Sequence, residues 1–91
     1  MNAPALAQGV RFRRSADGQG LLLIPEGVVN LNDSAAAIIE LVDGQRITME
    51  IAALLATRYS MDVAAIASDI EDLLQRLASK TWLVLPAAQT H

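Results

Sequence analysis

The stretch Leu21 to Asp33, LLLIPEGVVNLND, constrains the fold more than any other, because it holds two apolar runs too short for helices, a turn between them and a helix start. Leu21 to Ile24 is continuously apolar, and Val28, Val29 and Leu31 are β-formers that lead straight into the polar pair Asn32-Asp33. Pro25 presets φ for the first corner of a turn, and Gly27 can take the positive φ that a three-residue hairpin loop needs at its last position. The expected order is strand, turn, strand, helix cap. The second strand, Val28 to Leu31, is short and is expected at a sheet edge, whose unpaired backbone groups can receive an extended peptide. Proline at Val29 would weaken such binding if the Val29 N–H faces the peptide.

The neighbouring segments extend this pattern in both directions. Val10 to Arg14 alternates apolar and basic, as a half-buried strand does, and Asp17-Gly18 within SADGQG supplies the turn that pairs it antiparallel with Leu21 to Ile24. From Asn32 the period changes. Ala35, Ile38, Ile39 and Val42 form one face of a short helix, capped by Asn32 or Asp33 and ended by Asp43-Gly44. Thr48 is expected to cap a second helix with the stripe Ile51, Leu54, Leu55 and Tyr59, with Ile47 stapled against Ala52. Asp62 caps a third, in which Val63, Ile66, Ile70, Leu73, Leu74 and Leu77 make an apolar arc wider than one packed face needs. Trp82 to Leu85 reads equally as a short strand or as an apolar tail. Three strands then three helices predict one α+β domain of winged-helix type over residues 10–85, with the helices covering a three-stranded antiparallel sheet. Residues 1–9 are expected as a flexible arm and 86–91 as a tail.

Composition removes most catalytic chemistry. The 91 residues include no cysteine, and the only histidine is His91. That leaves no thiolate nucleophile and no cysteine metal site. Glu26 and Asp43 could be weighed as paired carboxylates, but a turn residue and a helix-end residue account for them, and no base or nucleophile accompanies them. The expectation is a protein that is not an enzyme and carries no cofactor. There is no signal-like start and no apolar run long enough to cross a bilayer, which predicts a cytoplasmic protein without membrane contact.

Two other binding functions compete with peptide capture. A winged-helix DNA binder would use Arg11, Arg13 and Arg14, yet the net charge is −3 and the outward face of the last helix carries Glu71 and Asp72, which phosphates repel. A phosphopantetheine carrier would use Asp33-Ser34, but Ala35 follows the serine and strands precede it, whereas Asp and Ser at a helix start serve as caps. A short edge and a small core also leave room for a homodimer, including one that exchanges elements.

The ordered set Leu23-Ile24-Pro25-Glu26, Leu31-Asn32, Val42-Asp43-Gly44, Ile51…Leu54-Leu55 and Asp69-Ile70…Leu73-Leu74…Leu77 resembles the PqqD family of pyrroloquinoline quinone (PQQ) biosynthesis proteins. That family is the prototype of the recognition elements for ribosomally synthesised, post-translationally modified peptides (RiPPs). The resemblance spans Val10 to Leu83. It departs from the family at Val42, where many relatives have cysteine, and at Lys80-Thr81, where many have glycine. It implies a non-catalytic chaperone that binds the leader of a PqqA-like precursor peptide and presents it to a PqqE-like radical S-adenosylmethionine (SAM) enzyme, which crosslinks a glutamate and a tyrosine. It further implies that the leader adds as a strand beside Val28, Val29, Asn30 and Leu31, against a wall formed by Ile66, Asp69, Ile70, Leu73 and Arg76. On the helical wheel itself, Asp69, Lys80, Arg76 and Asp72 follow one margin of the apolar arc. These charges could select a leader of complementary charge, although Asp72 and Arg76 are also a favourable i, i+4 pair that a solvated face accounts for.

Overall fold

In a computed structural model that describes residues 3–85, the chain runs β1 (Ala5–Leu6), β2 (Arg11–Arg14), β3 (Gly20–Ile24), β4 (Gly27–Leu31), α1 (Asp33–Glu40), α2 (Thr48–Tyr59), α3 (Val63–Ser79) and β5 (Leu83–Val84). Strands β2, β3 and β4 form the expected antiparallel meander, with β3 central. The loop between β3 and β4 is tighter than a three-residue turn. Ile24 pairs directly with Gly27, so Pro25 and Glu26 alone make the corner, and Gly27 enters the ladder at φ 154°.

Side chains alternate across this sheet. Gly20, Leu22 and Leu31 are buried, while Arg11, Arg13, Val28 and Asn30 stand exposed on the other face. Gly20 is buried because α1 lies directly on it: a Cβ built there would come within 2.5 Å of the Ala36 Cβ. Arg14 reinforces the contact by reaching from β2 to Glu40 of α1 at 2.8 Å while lying 5.5 Å over the Phe12 ring. Its hydrogen bond holds the Glu40 carboxyl below its ordinary pKa.

Helix α1 is capped by Asn32, whose side chain accepts from the Ala35 N–H at 2.7 Å. It ends at Glu40, short of Asp43-Gly44, because Leu41 and Val42 donate to Ile38 and Ile39, tightening the last turn. Asp43 instead accepts from the Gln45 and Arg46 N–H groups, both at 2.9 Å, and shapes the approach to α2. Those bonds, Arg46 first, lower its pKa and keep it an acceptor. Thr48 is the first residue of α2 rather than its cap. Ile47 holds that position, and with no side-chain oxygen to offer, its N–H is satisfied by Glu50 at 2.9 Å.

The stripe of α2 also differs from expectation. Ile51 and Leu55 are buried together with Ala52, whereas Leu54 and Tyr59 are 46% and 52% exposed. Alanine lets α2 pack closely on α3; Leu54 lies about 100° round the helix from Leu55, and Tyr59 sits in the final turn. Helix α3 is capped by Asp62 and buries Ile66, Ile70, Leu74 and Leu77; Leu73 is half-buried and Val63 exposed.

The end of α3 explains how the chain manages without glycine at Lys80-Thr81. Thr81 itself takes the left-handed conformation at φ 65°, and the N–H groups of Thr81 and Trp82 donate to Ala78 and Leu77. This is a Schellman ending with a β-branched residue where glycine is favoured. The turn sends Leu83–Val84 back as β5, which pairs antiparallel with β1 through Ala5 to Val84 and Leu6 to Leu83. The segment before β2 is therefore not an arm without elements. Pro4 is fully buried, and its carbonyl accepts from the Gly44 N–H at 3.1 Å. A two-residue strand has no readable period, and its partner lies at the far end of the chain. The expected tail 86–91 lies outside the described residues.

Two stability outcomes follow from the close approach and the helix end. Gly20→Ala should cost about 2 kcal/mol in urea unfolding, since Ala36 is fixed on a helix and cannot step back. Thr81→Gly should add about 1 kcal/mol by removing left-handed strain, while Thr81→Ala, which keeps a Cβ, should gain much less.

Candidate functional site

The edge of β4 has a definite hydrogen-bonding sense, fixed by the two-residue loop. In an antiparallel pair, bonded and non-bonded residue pairs alternate. Ile24 and Gly27 must be a bonded pair, because the alternative would need a bond between the adjacent residues Pro25 and Glu26. Counting back, Val29 pairs with Leu22 and Leu31 with Gly20 as bonded pairs, so the N–H and C=O of Val28 and Asn30 point away from β3. The first hairpin agrees. Ser15 N–H donates to Gln19 O at 2.9 Å, which assigns Leu21 and Leu23 to β2 and leaves Leu22 for β4. The Val29 N–H therefore faces β3, and the open donors of this edge belong to Val28 and Asn30.

Beside that edge runs a groove of about 360 Å³ between the end of β4, α1 and α3. Asn30 and Leu31 form one side, Asp69, Asp72, Leu73 and Arg76 of α3 the other, and Ala35 and Ile38 of α1 lie between them. A second pocket of about 450 Å³ adjoins it and shares Ser34, Ile38 and Asp69; Ile66, Leu55, Tyr59 and Met61 complete its apolar lining.

Of the residues assigned to a peptide site from the sequence, Asn30, Leu31, Asp69, Leu73 and Arg76 line the groove and Ile66 lines the adjoining pocket. Val28, further along β4, is 58% exposed and turns its backbone N–H and C=O away from β3. Val29 is half-buried with its backbone committed to β3. Ile70 is 0% exposed and belongs to the core. The wall supplied by α1, through Ser34, Ala35 and Ile38, is absent from the sequence assignment. Ile38 lies on the apolar face of α1, and at 7% exposure little of it reaches the groove. The signal available was the Ser34 and Ile38 pair, four apart on one helix face immediately after β4.

Among the described residues no buried side-chain polar atom lacks a partner, and no group of acidic or histidine residues has metal-binding geometry. Asp69, Asp72 and Arg76 form no ion pair among the described residues. They stand exposed along the groove with their charge available to a ligand.

Comparison with known proteins gives a consistent result. The sequence matches the family described as "Coenzyme PQQ synthesis protein D (PqqD)" over residues 19–83. A "PqqA binding protein" of Pseudomonas paraeruginosa is 40% identical over 85 residues, covering 92% of this chain and 91% of the relative. The solution structure of the PqqD part of Methylobacterium extorquens PqqCD, described as a functional and stand-alone RiPP recognition element, superposes with a TM-score of 0.77. It is 39% identical, over 89% of this chain and 87% of that one. TbiB1 in complex with the TbiA(beta) leader peptide superposes with a TM-score of 0.74 at 25% identity, over 87% and 93% of the two chains. With its three-stranded meander, three helices and match across most of the chain, this protein belongs to the PqqD family of RiPP recognition elements.

Proposed function

We propose that this protein binds the leader of a PqqA-type precursor peptide as a fourth strand on β4 and presents it to a radical SAM enzyme for glutamate–tyrosine crosslinking in PQQ biosynthesis. The carrying observation is the edge itself: Val28 and Asn30 offer outward N–H and C=O groups next to a groove whose opposite wall is α3. An extended peptide satisfies those groups by ladder bonds, and its alternate side chains fall toward the groove. Relatives named as PqqA binding proteins, and the leader-bound TbiB1 structure of the same fold, support this reading. The protein acts as a non-catalytic carrier without a cofactor and works in the cytoplasm; no helix among the described residues is long and apolar enough to span a membrane. Its α3 carries Glu71 and Asp72 exposed, a poor surface for duplex DNA.

The outward direction of the amides makes the test specific. Asn30→Pro removes an edge donor and leaves the pairing with β3 intact, so the fold should persist while affinity for a synthetic PqqA leader falls about tenfold, read by fluorescence anisotropy. Asn30→Ala controls for the lost side chain and should bind within about threefold of the parent. Val29→Pro breaks the Val29–Leu22 pair and should instead unfold the hairpin. Parent-like leader affinity in Asn30→Pro, or amide shifts on titration confined to the β2–β3 hairpin or to α2, would overturn strand addition on β4.

A further inference from the structure

The backbone ladder of β4 is indifferent to sequence, so selection of one leader among many peptides must come from side-chain contacts. A site able to take a side chain lies just past the end of β4, adjoining the groove. It is the pocket of about 450 Å³ between α1, α2 and α3, in the size range of small-ligand sites, with an interior of Ala37, Ile38, Leu55 and Ile66. Its mouth is made by Tyr59 and Met61 at the α2–α3 junction, 52% and 53% exposed, and Val63, 37% exposed, follows just beyond. Three large apolar side chains so close together on the surface are not explained by core packing. The chain holds them there deliberately: Ser60 adopts the left-handed conformation at φ 55°, and Met61 N–H donates to Ala56 O, so Tyr59 and Met61 flank one opening. Asp69 lines both this pocket and the strand groove and forms no ion pair among the described residues.

We infer that this pocket is a second anchor for the same leader. It takes one large apolar or aromatic side chain just beyond the strand-added segment, and Asp69 takes a cationic side chain between the two. The inference rests on strand addition at β4, because a peptide on that edge passes the Leu31–Asn32 end, where Ser34, Ile38 and Asp69 join the groove to the pocket. Continuity of the two cavities favours a single chain crossing both, and a carboxylate at their junction with no ion-pair partner among the described residues favours a positive charge there.

The test uses the full chain and synthetic PqqA leaders in which each large apolar residue, and each lysine or arginine, is changed in turn. The double variant Tyr59→Ala/Met61→Ala touches only exposed residues and should keep the parent's melting temperature. It should bind the unmodified leader about tenfold more weakly, yet lose nothing further with the leader whose anchoring residue is already alanine. Asp69→Lys should weaken binding about tenfold and be rescued by the leader in which the cation is replaced by glutamate. Parent-like affinity in the double variant, with Asn30→Pro still weakened, overturns the anchor alone; parent-like affinity in both overturns the strand reading as well. Failure of the glutamate leader to rescue Asp69→Lys removes Asp69 from the contact.

Discussion

The contact on which the rest of this structure depends is the seating of β3 on α1 at Gly20. A missing Cβ lets the sheet and helix approach to within van der Waals range of Ala36, and that closeness sets where β4 can lie. Because β4 runs directly into α1 through the Asn32 cap, it is held along the flank of α1 rather than over it. Helix α3 packs chiefly on α2 and approaches from the other side, so a trough remains between β4 and α3 with α1 as its floor. The groove is thus a by-product of packing two elements on a third, and its backbone wall exists because the sheet stops at three strands.

Much of this was legible in the sequence because it rests on local signals. The alternation in Val10 to Arg14, the Asp17-Gly18 turn and the caps at Asn32 and Asp62 each need only a few neighbouring residues to be read, and the structure places them within a residue or so of expectation. The edge at β4 followed from the strand count. What was not legible depends on partners distant in the chain. The β1–β5 pair joins residues at opposite ends, the exposure of Leu54 and Tyr59 depends on how α2 leans on α3, and the part of α1 in the groove depends on where α3 settles. The outward amides lay between these cases. The sequence leaves open which β4 amides face outward, and the pairing of Ile24 with Gly27 assigns the open donors to Val28 and Asn30 rather than to Val29.

The division of labour between backbone and side chains also follows. The chain has no cysteine, and among its described residues there is no histidine and no buried side-chain polar atom without a partner. What it presents is an open strand edge beside a trough of mixed apolar and charged lining. Recognition of this kind places few demands on individual core residues, and the core is accordingly generic: alanine, isoleucine, leucine and valine throughout.

The clasp of β1 and β5 carries an implication for architecture. It brings the first and last described strands side by side, and no residue of either lines the groove beside β4. Polypeptide joined at either end would leave from one common point on the domain, away from the open edge of β4. A module fused at either terminus would then tether this domain without obstructing the β4 edge, and the tether would raise the local concentration of whatever that edge holds.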